Sequence, residues 1–191
     1  MISGSNPPSG NKGLARAALI VSAFAALLAG AAGLARWMQF AYAHPTVAEY
    51  AAHRGGKVTV FPAGQLDFDG ESFQCGRFPT VMSAALNDYG AAFFGFILLN
   101  PVRFPQMPLT LKRYAYAHEC GHQYVGYDEG EADCYAVRRG RAEGWLDAKA
   151  MDEICDFIGR SKGDAVHALG TRRCDMMRRC YARSRPGREP L

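Results

Sequence analysis

His118-Glu119-Cys120-Gly121-His122 decides how the chain reads. On an α-helix, residues four apart lie on one face, so two imidazoles at that spacing can bind a single metal ion. A glutamate beside the first histidine then stands next to the remaining metal position, where a water would bind. The chain has five histidines, and two of them fall in these five residues. The pentad therefore predicts a helix with a catalytic Zn²⁺ site, His118 and His122 as metal ligands and Glu119 as general base.

A catalytic zinc takes three protein ligands and keeps one open position. The third must come from a segment that returns to the same helix face. Gly126-Tyr127-Asp128-Glu129-Gly130-Glu131-Ala132-Asp133 offers four carboxylates just after a glycine turn. Glu129 and Asp133 are four residues apart and share one face of a second helix; Asp128 suits an N-cap. Glu129 and Asp133 both stand as third ligand on this spacing.

His-Glu-x-x-His followed by Glu-x-x-Ala-Asp resembles the gluzincin metallopeptidases, in particular the group of the heat-shock protease HtpX, the CAAX prenyl proteases and their small single-domain relatives. The resemblance covers residues 93–180. It implies Glu129 as the third zinc ligand and Asp133 as the partner that orients a ligand histidine. It implies that His167, followed by Arg172 and Arg173, acts near the substrate or the transition-state oxyanion. It also implies that the apolar run ending Ile97-Leu98-Leu99-Asn100 is an edge strand binding substrate backbone. Three departures stand out: six residues separate His122 from Glu129, Ala168 replaces the usual proline, and there is one hydrophobic segment instead of several. The short connection keeps Asp133 in play as the alternative ligand.

The rest of the chain sets the frame. With 191 residues, it is long enough for one domain with a real core and an accessory segment. Residues 1–43 carry Lys12, Arg16 and Arg36 and no acid, leaving 19 basic against 18 acidic residues from 44 onward. The body is nearly neutral, so no global field argues for a nucleic-acid partner. The Arg-rich end from Arg172 to Arg188 reads as a solvated helix face and tail. Residues 17–35 are uncharged, a length close to what a bilayer core requires, with basic residues before them. Two outcomes follow: a retained membrane anchor, with Arg36-Trp37 at the interface, or a signal peptide cleaved after Ala43 in Ala41-Tyr42-Ala43. Either places 44–191 in the cell envelope or outside the cell. Six cysteines agree with an oxidising compartment and at least one disulfide; Cys120, off the ligand face, reads as a packed thiol or disulfide partner.

Local patterns give the elements. Lys57–Phe61 alternates and predicts a strand ended by Pro62. Asp67, Asp69 and Glu71 around Gly70 read as a turn, since the full calcium-loop pattern is absent. Val81–Leu86 predicts a strand or short helix, 87–90 a turn, and 93–99 an apolar strand. Helices follow from Pro108 to a stop at Gly126, from Asp128 to Arg139 with a stop at Gly140, from an Asp147 N-cap, and from Thr171. The expected fold is α+β and zincin-like: a small sheet with an edge strand facing the active helix, a helical C-terminal part, and one N-terminal hydrophobic helix. The expected domains are a leader at 1–43 and a zinc metallopeptidase-like domain at 44–191 acting on peptide or protein substrates. The alternative is a zinc-binding adaptor or chaperone of the envelope that keeps the fold without turnover.

Overall fold

The computed structural model describes residue 22, residues 27–32 and residues 44–187. The chain divides into two units, Met1–Ala43 and His44–Leu191. Among the described residues, no helix is long and apolar enough to cross a membrane. This corrects the expected transmembrane helix, the membrane partner and the membrane-anchored location in the envelope. Of 17–35 itself, residues 22 and 27–32 are described, as helix. The rest of that stretch and the cleavage site at 41–43 lie outside the described residues.

The second unit has an α+β fold. A capped turn of helix, α1 (Val47–Tyr50), precedes six short strands: β1 (Val58–Phe61), β2 (Leu66–Phe68), β3 (Glu71–Phe73), β4 (Thr80–Ser83), β5 (Gly90–Phe93) and β6 (Phe96–Leu99). Four helices follow: α2 (Leu109–Val125), α3 (Glu129–Ala142), α4 (Ala148–Ile158) and α5 (Gly170–Arg183). The main sheet has the order β1-β4-β6-β5, with β4 and β6 parallel and the other pairs antiparallel. β2 and β3 form a separate hairpin.

β6 explains its own sequence. All four of its residues are buried, because the sheet is covered on both faces, and a strand buried on both sides reads as an unbroken apolar run. Ile97 and Leu99 join the core under the helices, while Phe96 and Leu98 pack with Tyr50 and Val81 on the other side. β6 is therefore an interior strand, and the expected edge role passes to β5. The apolar run 93–99 hides a hairpin: Phe94 and Gly95, with Gly95 at φ 102°, turn the chain between β5 and β6. Gln123 of α2 clamps that turn, accepting from Gly95 N at 2.9 Å and donating to Phe93 O at 2.8 Å. α2 and the sheet edge are thereby fixed to one another one residue from His122.

The helix signals act as local chemistry predicts. Gly126, at φ 73°, follows the last residue of α2. Asp128 caps α3 by accepting from Glu131 N at 2.9 Å, and Asp147 caps α4 by accepting from Ala150 N at 2.8 Å. Met151, Ile154, Cys155 and Ile158 form the buried face of α4. α3 runs past Gly140 to Ala142, because Gly140 serves packing rather than termination: a Cβ there would meet Leu146 Cβ at 2.7 Å. The acidic 67–71 stretch forms the β2–β3 turn, with Asp69 and Gly70 at positive φ; Asp69 pairs with Lys112, Glu71 pairs with Arg113, and Asp67 accepts from Gly70 N.

Three disulfides join the elements: Cys75–Cys120, Cys134–Cys180 and Cys155–Cys174. Each places one cysteine directly after Glu119, Asp133 or Arg173 in the sequence. The cross-links thus hold α2 to the β3–β4 connection, α3 to α5, and α4 to α5.

Candidate metal centre

α2 and α3 cross at Gly121 and Ala132. A Cβ on Gly121 would lie 3.1 Å from Ala132 Cα, so two small residues let the helix backbones approach closely. That contact brings Glu129 and Asp133 up to the histidine face of α2. His167 arrives from the loop between α4 and α5.

His118 Nε2 lies 3.3 Å from His122 Nε2 and 3.1 Å from Glu129 Oε2. His122 Nε2 lies 3.6 Å from Glu129 Oε1, and His167 Nε2 lies 3.1 Å from Glu129 Oε2. Ligand atoms of His118, Glu129 and His167 all fall within 4.8 Å of one another, so this cluster could hold a metal ion. Donors about 2.1 Å from a tetrahedral ion sit roughly 3.4 Å apart, and the His118, His122 and Glu129 atoms meet that spacing as well.

The second nitrogen of each ring faces an oxygen. His118 Nδ1 lies 2.8 Å from Asp133 Oδ1, a close ion contact off the axis of a hydrogen bond. His122 Nδ1 donates to the Gly126 carbonyl at 2.7 Å. His167 Nδ1 faces Asp164 Oδ2 at 3.1 Å, and the same carboxylate caps the loop by accepting from His167 N at 2.7 Å. An acceptor at Nδ1 draws the ring proton there and leaves Nε2 facing the opening. Three imidazoles with Nε2 turned toward one carboxylate require a cation among them, proton or metal.

The electrostatics agree. Burial lowers the His118 pKa, but the Asp133 and Glu129 carboxylates outweigh it and raise it to about 10. Burial raises Glu129, yet His118 and His122 pull it well below the usual carboxylate range. Burial likewise raises Asp133, and Arg173 with His118 brings it down to about 2. Glu119 is shifted upward, first by burial, against the lowering fields of His118 and His122.

Asp133 does not face the opening. It is fully buried behind His118, where it accepts from the Tyr114 hydroxyl and from Arg173. Of the sequence candidates, the fold brings His118, His122, Glu129 and His167 around one opening, with Glu119 on the cleft wall beside them. Arg173 reaches Asp133, and Arg172 does not join the histidines. Two contributors escaped the sequence: Tyr114 and Gly90. Tyr114 precedes His118 by four residues, a spacing that already puts it on the ligand face. Gly90 carries no such local signal.

The cleft has a volume of about 680 Å³, and β5 lines one side. Gly90 packs directly on the general-base candidate, since a Cβ there would meet Glu119 Cγ at 2.9 Å. β5 ends the sheet order, so its outer backbone edge borders the cleft beside Glu119. Comparison with protein-family models, curated proteins and solved structures finds no match.

Proposed function

We propose that the chain is a zinc-dependent peptidase, with His118, His122 and Glu129 as metal ligands and Glu119 as general base. The observation that carries the proposal is the convergence of imidazole Nε2 atoms on Glu129, at 3.1 to 3.6 Å, next to a cleft walled by Glu119 and a strand edge. Two histidines and a carboxylate are a donor set suited to zinc. The resemblance to gluzincins assigns the same three roles.

When bound, zinc supplies Lewis-acid polarisation of a carbonyl and lowers the pKa of a water. The chain's own residues do the rest. Glu119 takes a proton from the attacking water and returns it to the leaving amine. Its upward shift suits that exchange, because a base poised nearer neutrality both accepts and gives. His167 in its imidazolium form donates from Nε2 to the developing oxyanion, while its Nδ1–H is held by Asp164. Asp133 fixes the His118 ring, and Tyr114 and Arg173 fix Asp133. The outer edge of β5 offers backbone groups to an extended peptide.

The test uses the full oxidised chain beside Glu119→Gln, with zinc content and cleavage of a diverse peptide library recorded for both. Zinc in both proteins with cleavage by the wild type alone supports the enzyme. Zinc in both and cleavage by neither supports a zinc-binding protein without turnover. A folded wild type that binds no zinc overturns the proposal.

A further inference from the structure

One wall of the cleft is apolar, and its placement relative to Glu119 points to a substrate side chain. Ala115 precedes Glu119 by four residues on α2, so the two share a helix face one turn apart. Ala115 lines the cleft between two tyrosines in sequence, and its small side chain leaves space on that face. The same cleft is lined by Leu86, Tyr89, Met107, Phe157 and Ile158.

Phe157 is the informative residue. The core-facing side of α4 is made by Met151, Ile154, Cys155 and Ile158, and Phe157 flanks that face. It remains 39 % exposed, on the cleft side, with Tyr89 packed edge-on at 5.8 Å and an interplanar angle of 73°. Tyr89 itself is held by its backbone: its N donates to Asp88 Oδ1 at 2.7 Å, and its carbonyl accepts from Asn100 N at 3.0 Å. The next residue is Gly90, which rests on Glu119. An aromatic pair with one exposed ring therefore lines the cleft next in sequence to Gly90, the residue that rests on Glu119, and with Ala115, Met107 and Ile158 gives the cleft an apolar recess.

We infer that this recess selects substrates with a large apolar side chain, aromatic or leucine-like, next to the bond that is cut. The inference rests on the peptidase proposal for its chemistry, but the recess can be tested without turnover. A side chain entering beside Ala115 packs on Phe157 and Tyr89 while the peptide backbone lies along β5. Apolar pockets of this kind discriminate by roughly 10- to 200-fold for each methylene that fits or is missing.

The experiment has two arms on the full, oxidised, zinc-loaded chain. In the first, peptides varied at the positions flanking the cut are profiled with wild type, Phe157→Ala, Phe157→Leu and Tyr89→Ala. Wild type is expected to favour phenylalanine or leucine over alanine at one flanking position by at least about 10-fold. Phe157→Ala should level that preference, while Phe157→Leu should keep most of it, with zinc content unchanged in both. In the second arm, the same peptides are titrated onto Glu119→Gln with and without Phe157→Ala, and binding is read directly. A preference for the phenylalanine peptide that disappears with Phe157→Ala upholds the recess even where nothing is cleaved, in which case the peptidase proposal alone falls. Cleavage or binding without apolar preference overturns the inference. So does a preference that survives both Phe157→Ala and Tyr89→Ala.

Discussion

Arg173 grips Asp133 with two nitrogens: Nε donates to Oδ2 at 2.8 Å and Nη2 donates to Oδ1 at 2.7 Å. Asp133 has no solvent exposure, so its charge depends on these donors, the Tyr114 hydroxyl and His118. Removing the guanidinium leaves a buried carboxylate short of its main partner. Arg173→Ala should destabilise the domain by about 3–5 kcal/mol, as breaking a buried pair does, measured by urea unfolding. Arg173→Lys keeps the charge but loses the fork, and should fall between. A loss within experimental error for Arg173→Ala would show that water replaces the arginine.

The same carboxylate sets an acid limit. Asp133 titrates at about 2 in the fold against 3.8 as its ordinary value. A depressed carboxylate contributes its stability in full above the unfolded value, and that contribution is lost as pH falls through the folded one. The contribution is on the order of 2 kcal/mol, and unfolding should steepen between pH about 4 and about 2. Thermal unfolding of wild type and Asp133→Asn over this range provides the check. The variant should start less stable and show a shallower decline.

The parts of the fold read correctly from sequence are those decided locally. Asp128 and Asp147 cap the helices that follow them, and Gly126 ends the helix before it, because capping involves neighbouring residues alone. Glu129 and Asp133 share a helix face for the same reason. The resemblance places the edge strand at the apolar run ending Ile97-Leu98-Leu99-Asn100, yet an unbroken apolar run marks a strand covered on both faces. The true edge, Gly90–Phe93, is half-buried and contains Gly-Ala-Ala, a composition with little strand preference of its own. Its pairing with β6 is tertiary information. The same holds for Arg173, forty residues from Asp133 in sequence, and for the pairing of the six cysteines.

Metal binding must displace protons. Without metal, His118 holds its proton up to about pH 10, against 6.5 as its ordinary value. A raised imidazole contributes stability fully below pH about 6.5 and loses it as pH climbs through about 10. Zinc binding at pH 7 should therefore release about one proton from His118. Calorimetric titration in buffers of different ionisation enthalpy counts that proton. The apparent affinity should rise by up to about tenfold per pH unit between 7 and 9. An affinity independent of pH over that range would show that His118 is no ligand.

His122 and His167 both point at Glu129, but they should differ when removed. His122 sits on the same rigid helix as His118, so His122→Ala should abolish stoichiometric zinc at micromolar protein. His167→Ala should keep zinc and lower kcat by about 10²–10³, the usual loss for one oxyanion donor. Zinc analysis and kinetics on the two variants provide the comparison. The reverse pattern, zinc lost with His167 and kept without His122, would assign the ion to His118, Glu129 and His167 instead.

Gly90 offers a way to disturb the base without touching the metal. A Cβ at this position would lie 2.9 Å from Glu119 Cγ and 3.3 Å from Oε1, closer than packed atoms tolerate, so Glu119 must swing aside. The strand itself has no need of glycine at this position, since Gly90 is absent from the residues with positive φ, so the cost in stability is that of moving Glu119, up to about 1–3 kcal/mol. A shift of about 1 Å in a catalytic group can cost on the order of 100-fold in rate. Gly90→Ala should therefore bind zinc as tightly as wild type, stay folded with at most a modest drop in unfolding temperature, and cut peptides about 10- to 100-fold more slowly. Zinc affinity, thermal unfolding and kcat measured on one preparation separate the outcomes. Full activity in a folded Gly90→Ala protein would show that Glu119 works from a position other than the one against β5.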